Sequence, residues 1–364
     1  MADSRFHPDL LLSHQFPEVS FFFISVVSTF IYVGSRVYLD WINDVPLFVN
    51  RDAALYALGV GACAQDAIDD KELKYVYHEN GQQFIQFSLN FMEVGNFMGR
   101  SSVTWVSYPL VPGHYHGKVL PTFVALFPLG STLEQLQGIL QFDPRLLLHG
   151  QQYIEIYKPL PSGGCVKNKS RIAGLHDKGK AAVVDVEILS YEENSSEPLC
   201  MNRITVYLRG AGGFSESSHP YSYSAYPAKE AIKIPKTQPF AAFEDRTQQS
   251  QACNALLYRL SGDYNPLHSD PKLAEVAGFS RPILHGLCTL GFAVRAIVLC
   301  VCKGDSNMVK SISGRFLLHV YPGESLITEM WLEGFKVIYQ TKVKERSRAV
   351  LSGHVDLKCL PSSL

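Results

Sequence analysis

The sequence predicts an α+β protein built from two related units, each a curved antiparallel sheet wrapped on a central helix. Two observations support this fold class. Each half of the chain carries one apolar motif ending in His-Gly, at His149-Gly150 and at His285-Gly286, and segments of alternating apolar and polar residues follow both motifs. Such alternation is typical of strands that bury one face. Strand-rich stretches accompanied by one helix in each half therefore indicate a duplicated α+β unit.

The strand pattern occurs in both halves of the chain. In the first half it covers residues 154–157, 181–191 and 201–208, and in the second half 311–320, 325–332, 335–344 and 350–357. Two domain-sized units also fit a chain of 364 residues. We place the first unit at 1–208, a linker at 209–247 and the second unit at 248–364, because glycine, serine and proline crowd the middle stretch, as is typical of loops.

A helix predicted over residues 52–67 opens the first unit. Its Leu55-Tyr56-Ala57-Leu58 run parallels Leu257-Tyr258-Arg259-Leu260 in the second unit. Gly61 then occupies the position of Asp263 in the second copy, and no histidine follows at the matching distance. The first unit is therefore expected to lack a catalytic pair.

Two segments of the first unit fit the pattern poorly, at about 20–49 and 87–118. Residues 19–35 carry no charge and only just reach the length of a membrane-spanning helix. Residues 87–118 show no sustained period. We interpret both as insertions, with the hypothesis that they are translated non-coding sequence. If they are genuine, a membrane anchor at 20–35 is the competing interpretation; otherwise membrane contact is not expected.

Composition excludes one class of partner. The net charge is −1 and 46% of residues are hydrophobic, so the chain has no basic footprint and nucleic acid is not an expected partner. The eight cysteines show neither a Cys-x-x-Cys pair nor zinc-ligand spacing, so no metal site is predicted.

The stretch 258–274 carries the main candidate residues. An apolar helical segment ends at Ser261-Gly262, and a turn rich in Gly, Asp, Asn and Pro follows. Asp263 and His268 stand at the two ends of this turn. Asn265-Pro266 lies between them and forces a bend, since the residue before proline avoids helical geometry. The bend can bring a carboxylate and an imidazole to one place.

A second motif begins at Gly286. An apolar run continues from it to Val301 with a single charged residue, Arg295, and predicts a buried helix. A glycine at the start of such a helix leaves backbone N–H groups bare, and these favour negative charge, including a developing oxyanion.

Together the run 258–274 and the His285-Gly286 element resemble the signature of the (R)-specific enoyl-CoA hydratases, or hydratase 2, of the MaoC-like hot-dog superfamily, and are most similar to the plant enzymes. The resemblance implies a double hot-dog fold and hydration of trans-2-enoyl-CoA to (3R)-3-hydroxyacyl-CoA. It implies that Asp263 and His268 hold and activate a water, that Asn265 supports the site and that the Gly286 N–H faces the thioester carbonyl. It implies no cofactor, because CoA is part of the substrate.

Three further residues are candidates for substrate binding: His285, Tyr264 and Arg315. The guanidinium of Arg315 could bind a CoA phosphate, but a solvated surface charge is an equal alternative. Which of Asp263 and His268 is base and which is acid stays open, because a close pair titrates as a unit.

The C-terminal Ser362-Ser363-Leu364 resembles the peroxisomal Ser-Lys-Leu address. Beside a fatty acyl-CoA signature it predicts a peroxisomal enzyme of fatty acid β-oxidation, acting also on unsaturated fatty acids and imported by the receptor that reads this tail. A homodimer is the expected assembly. The alternatives are an acyl-CoA thioesterase of the same fold and a non-catalytic acyl-CoA-binding or membrane-attached protein.

Overall fold

The computed structural model describes residues 19–20, 47–48, 50–65, 69–77, 118–128, 142–143, 146–227, 232–246 and 254–361. Most of the two predicted insertions and the predicted targeting residues Ser362, Ser363 and Leu364 lie outside this part of the chain. The helices are α1 (Asn50–Gly59), α2 (Asp70–Leu73), α3 (Asn254–Arg259), α4 (Pro271–Val276) and α5 (Gly286–Cys300). Short 3-10 helices occupy Pro121–Leu126, Pro266–His268 and Ser306–Met308.

In the described part of the chain, twelve strands form the sheet. They are β1 (Val19–Ser20), β2 (Leu47–Phe48), β3 (Leu147–Ile156), β4 (Gly164–Asp177), β5 (Ala181–Glu192), β6 (Cys200–Arg209), β7 (Ser222–Ser224), β8 (Ala241–Arg246), β9 (Val309–Phe316), β10 (Ser325–Glu333), β11 (Lys336–Val343) and β12 (Arg348–Leu357). Their order is β1-β4-β5-β6-β3-β9-β12-β11-β10-β8, with β2 and β7 also paired to β4.

The two units join into one continuous sheet. Strand β3 of the first unit pairs antiparallel with β9 of the second, from Gln151 opposite Arg315 to Glu155 opposite Ser311. Each unit thus contributes one strand to the seam. The predicted α+β class is confirmed, and the strands of the two units lie edge to edge within this one sheet.

Five described strands do not appear among the strands predicted from the sequence: β1, β2, β4, β7 and β8, of which β4 and β8 are the longest. β4 carries a run of lysine, asparagine, serine and arginine with no regular alternation, and its burial is equally irregular. β8 lies inside the stretch predicted as a linker, where it pairs with β10 from Ala241 to Arg246. The proposed boundaries at 209–247 stay a prediction, but this stretch is more than loop. His149-Gly150 resembles His285-Gly286 in sequence but does not begin a helix as Gly286 does, because both residues lie within β3.

Helix α5 is the centre of the second unit. It contacts β8 to β12 on one side and the 3-10 helix Pro121–Leu126 of the first unit on the other. Its residues from Leu287 to Val298 are all buried, as expected of a helix that is apolar all round. Among the described residues, no helix is long and apolar enough to cross a membrane.

In the first unit, the described residues place the buried 3-10 helix Pro121–Leu126 against β3, β6 and α5. Side-chain amides fix it: Asn202 donates to the Val124 carbonyl at 2.9 Å and Asn168 to the Phe127 carbonyl at 2.7 Å. Buried carbonyls need such donors.

The buried Arg295 of α5 contacts α2, β8 and the residue that follows α1. The guanidinium of Arg295 contacts the carboxylates of Glu72 in α2 and Asp245 in β8. Its Nε donates to the carbonyl of Val60, just after α1, at 3.0 Å. The fork of five N–H donors on arginine suits it to hold three partners at once.

Candidate active site

Helix α3 ends where the sequence predicts, and its end starts the candidate site. The N–H of Gly262 donates to the Arg259 carbonyl at 3.0 Å, and Gly262 has φ of +116°, a conformation that glycine adopts far more readily than other residues. The chain therefore turns sharply at Gly262 and directs the next residue, Asp263, into the protein.

The following turn is held by its own side chains. Asp263 Oδ1 accepts from the Asn265 N–H at 3.3 Å, and Asn265 Oδ1 accepts from the Leu267 N–H at 3.0 Å. Asn265 thereby caps the 3-10 helix Pro266–His268. The predicted bend is present, and the supporting role predicted for Asn265, which is itself exposed, stays a prediction.

The orientation of His268 is fixed by a backbone carbonyl. Its Nδ1 lies 2.8 Å from the carbonyl oxygen of Ile283. Because a carbonyl only accepts, Nδ1 carries the proton and Nε2 is the atom left for proton transfer. His268 is 9% exposed, so little solvent competes for it.

Asp263 and His268 act on one another electrostatically. Burial raises the pKa of Asp263, and the neighbouring His268 opposes that rise. Burial lowers the pKa of His268, and Asp263 opposes that fall. The turn has thus brought the predicted carboxylate and imidazole within 4.8 Å of one another.

His285 and Gly286 approach this pair from the start of α5. The ring of His285 stacks on that of His268 with centroids 3.7 Å apart, and its Nε2 lies 3.1 Å from the backbone oxygen of Asp263. Gly286 begins α5, whose first-turn N–H groups have no intrahelical acceptor. A Cβ atom at Gly286 would lie 3.2 Å from the ring of Phe316, so glycine leaves the space between the start of α5 and this ring unfilled.

The remaining candidate residues lie around the pair. Tyr264 is 53% exposed, with the Arg259 guanidinium 4.9 Å above its ring. Arg315 is exposed on β9, across the seam from Gln151. No described contact joins either residue to Asp263 or His268, and their roles in substrate binding stay predictions.

Arg259 and Phe316 escaped the sequence analysis. The positive charge of Arg259 acts on the pKa of both Asp263 and His285, which it lowers. Its position at the end of α3, four residues before Asp263, was the available signal. Phe316 gave no signal, because only the folded sheet brings it to Gly286.

A metal ion is the obvious alternative use of this cluster. Asp263, His268 and His285 each place one potential ligand atom within 4.8 Å of the others. The two imidazoles are stacked at 28°, however, so their lone pairs run side by side and do not converge on one point. We assign no metal site here, and the predicted absence of a metal stays a prediction.

In the first unit, Gly61 corresponds to Asp263, and side chains of α5 fill the space beside it. Gly61 has φ of +89°, and a side chain there would meet the ring of Phe292 at 2.4 Å. α5 thus occupies the space that a carboxylate at position 61 would need. This packing explains why the first copy of the turn carries glycine in place of aspartate.

The chain matches two family profiles, the MFE-2 hydratase 2 N-terminal domain over residues 110–210 and the MaoC like domain over residues 233–353. It is 54% identical over 367 aligned positions to enoyl-CoA hydratase 2, peroxisomal, of Arabidopsis thaliana, covering 100% of this chain and 99% of that protein. It is 36% identical over 315 positions to the peroxisomal multifunctional enzyme type 2 of Mus musculus, covering 85% of this chain but 36% of that longer protein.

Solved structures agree with the sequence relatives. A MaoC-like dehydratase from Phytophthora capsici superposes with a TM-score of 0.69 at 26% identity, covering 97% of this chain and 98% of that one. The full-length peroxisomal multifunctional enzyme type 2 of Drosophila melanogaster superposes with a TM-score of 0.62 at 31% identity, covering 86% of this chain and 48% of that one.

Proposed function

Because the chain belongs to the peroxisomal enoyl-CoA hydratase 2 family of MaoC-like proteins, we propose that it reversibly hydrates trans-2-enoyl-CoA to (3R)-3-hydroxyacyl-CoA in fatty acid β-oxidation. One observation carries the proposal. The turn 262–268 brings a carboxylate and an imidazole together beside the first turn of α5. These are the groups that addition of water to an enoyl thioester requires.

The chemistry follows from what each group can do. Water must reach C3 of the substrate and a proton must reach C2, so one group accepts a proton while another gives one. Asp263 and Nε2 of His268 can share one held water and divide these tasks. Negative charge gathers on the thioester oxygen as the water adds, and the N–H of Gly286 supports that charge. Which member of the pair is base is a property of the pair as a whole.

A spectrophotometric assay with crotonyl-CoA and a longer enoyl-CoA tests the proposal. Loss of enoyl absorbance without free thiol is expected. Release of free thiol would instead indicate a thioesterase, and no reaction would indicate an acyl-CoA-binding protein. Chiral analysis of the product checks the (3R) configuration, and an unsaturated acyl-CoA substrate checks the wider role.

We propose that the reaction needs no cofactor, since the paired side chains and a backbone N–H supply every proton and charge contact. Dialysis against a chelator should leave the rate of crotonyl-CoA hydration unchanged. A rate that fell on dialysis and returned with a divalent cation would contradict this. The exposed Arg315 is the proposed contact for a CoA phosphate, and Arg315→Gln should then raise KM with little effect on kcat.

Assembly and import complete the proposal. We propose a homodimer, which sedimentation of the purified protein would check. We also propose that Ser362, Ser363 and Leu364 are read by the peroxisomal import receptor. A fluorescent fusion tagged at its N-terminus should enter peroxisomes, and removal of these three residues should leave it in the cytosol. Import that survived the truncation would contradict the assignment.

A further inference from the structure

The proposed hydration mechanism assigns no role to His285, a polar residue of the site. It is fully buried, its ring lies 4.9 Å from that of Tyr258, and it occupies the N-cap of α5. N-caps favour Ser, Thr, Asp and Asn, whose side chains accept from the first-turn N–H groups. The His285 side chain makes no such cap hydrogen bond. Its ring is therefore used for something other than holding the helix end.

The hydrogen bond of His285 fixes its protonation state. Its Nε2 contacts the backbone oxygen of Asp263 at 3.1 Å, and a carbonyl oxygen can only accept. Nε2 therefore carries the proton. Burial, His268 and Arg259 together hold the pKa of His285 well below its usual range, so the ring stays neutral. A neutral ring with its one proton engaged has no proton to give to a substrate.

The two stacked histidines donate hydrogen bonds to two different backbone carbonyls of the site. His268 donates from Nδ1 to the Ile283 carbonyl, and His285 donates from Nε2 to the Asp263 carbonyl. The rings lie face to face at 3.7 Å. One rigid ring thus connects three parts of the site: the backbone of the carboxylate residue, the plane of the catalytic imidazole, and the residue before the Gly286 N–H.

We propose that His285 is a positioning residue, whose neutral ring sets Asp263 and His268 relative to the first turn of α5. The proposal rests on the proposed hydration and replaces the substrate contact that the sequence suggested for His285. The Nδ1 of this ring is buried and has no hydrogen-bond partner among the described residues. An unpaired buried acceptor costs stability. Its retention beside the catalytic pair is consistent with a geometric role.

Three substitutions separate the parts of this role. His285→Ala removes both the N–H donor and the stacked ring, His285→Phe keeps a ring without a donor, and His285→Gln keeps an N–H donor without the ring. For His285→Ala we expect kcat with crotonyl-CoA to fall about 10²-fold, the loss typical of a 1 Å misplacement, with KM almost unchanged. The Phe and Gln variants should each recover part of kcat.

Tyr258→Phe is the matched control. It keeps the ring that contacts His285 and removes a buried hydroxyl that interacts with the neighbouring Tyr56 hydroxyl. Its kcat and KM should equal those of the unsubstituted chain. A rise in KM with kcat retained in His285→Ala would overturn the proposal, since that split indicates a substrate contact. So would equal kcat in all three His285 variants and the unsubstituted chain.

Nitrogen chemical shifts of the histidine rings give a readout that does not depend on turnover. In the unsubstituted protein, His285 should remain a neutral Nε2–H ring from pH 5 to 8, and neutral His268 should be the Nδ1–H form. Titration of His285 within that range would overturn the proposal. If the unsubstituted protein hydrated no enoyl-CoA, the proposed function would fail, and the spectrum would still decide whether His285 holds Asp263.

Discussion

Asp263 and His268 are the residues on which the proposed reaction depends most directly. Replacing either with alanine removes one partner of the pair while leaving the turn's glycine and proline in place. Turnover of crotonyl-CoA should fall by about 10²–10⁴-fold in each variant, the usual contribution of a general acid or base.

Asp270→Asn is the control for these two variants. Asp270 is exposed and caps α4 through the Lys272 N–H at 2.8 Å, and asparagine caps about as well as aspartate. Its turnover should be unchanged. Near-native turnover in a folded Asp263→Ala or His268→Ala variant would show that the site is assigned to the wrong pair.

The pH dependence of kcat/KM also belongs to this pair. Burial raises the pKa of Asp263 from 3.8, and burial lowers the pKa of His268 from 6.5. If the active form has Asp263 ionised and His268 neutral, adding one proton to the pair on the acid side inactivates it. kcat/KM should therefore fall in a single step as pH falls on the acid side. Measurement from pH 4 to 8 checks this, and activity that rose through that interval on acidification would have the wrong sign.

The sequence gives a good account of single residues where the chain itself sets the geometry. Gly262, Asn265-Pro266 and the His268 end of the turn act on one another over a few positions, so spacing alone predicts their arrangement. The stack of His285 on His268 involves residues seventeen positions apart in sequence. It depends on how α5 lies against the turn, and no local pattern encodes that.

Among the elements, α5 is held to the rest of the fold by the buried Arg295. Removing its guanidinium with Arg295→Leu would leave the carboxylates of Glu72 and Asp245 buried without their partner. Breaking a buried ion pair from one side costs about 3–5 kcal/mol. We expect a loss of that size in the free energy of unfolding, measured with urea.

A triple variant tests the reason for that loss. Arg295→Leu combined with Glu72→Gln and Asp245→Asn removes the stranded charges, so much of the lost stability should return. If the triple variant were no more stable than Arg295→Leu alone, packing and not charge would be the cause.

The same cluster makes stability depend on pH. Burial raises the pKa of Asp245 to about 6, the charge of Glu72 adds to that rise, and Arg295 opposes it. The folded state thus binds this proton more tightly than the unfolded state does. The resulting stability is present below the unfolded pKa of 3.8 and is lost as pH rises through about 6. Asp245→Asn should flatten this slope in urea titrations between pH 4 and 7, and an unchanged slope would place its origin elsewhere.

Strands could be predicted where one face is buried and the other is exposed. The segments that became β5, β6 and β10 to β12 alternate and were recognised. β4 was not, because different stretches of it pair with different short strands: β2 at 164–165, β1 at 167–168 and β7 at 174–176, whereas β5 pairs from 166 to 177. β8 follows a proline-rich stretch, which indicated loop more strongly than its six residues indicated strand.

For the whole molecule, the sequence predicts two units but not how they join. The seam between β3 and β9 pairs residues about 160 positions apart in the chain. The residues of β3 and of β9 would each be equally compatible with a strand at the outer edge of a sheet. The duplication could be predicted because the motifs at 55–58 and 257–260 repeat in sequence. The pairing of β3 with β9 has no such sequence pattern in either unit.

The insertions are also a matter for the whole molecule, and β1 and β2 bear on the first of them. Val19 and Ser20 lie opposite Asn168 and Lys167, and Leu47 and Phe48 lie opposite Cys165 and Gly164. The two short strands thus follow the same edge of β4 in one continuous register. One position, opposite Val166, separates them. Residues 21–46 stand between two pieces that β4 pairs as though they were one strand.

This register specifies where the chain can be shortened. A variant lacking 22–46 keeps one residue, Phe21, between the two short strands. Among the described residues, removal of 87–118 removes the exposed ion pair between Lys118 and Asp305 at 3.7 Å, which is worth little. Residues 19–35 carry no charge, and exposed apolar surface of that kind favours aggregation. We expect the shortened chain to be more soluble than the full chain and at least as active per milligram. A variant lacking 21–46 is the control, since it leaves no residue opposite Val166 and shifts the pairing register of residues 47–48 with β4 by one. If the full chain proved both more soluble and more active than the variant that keeps Phe21, the two segments would belong to the native fold.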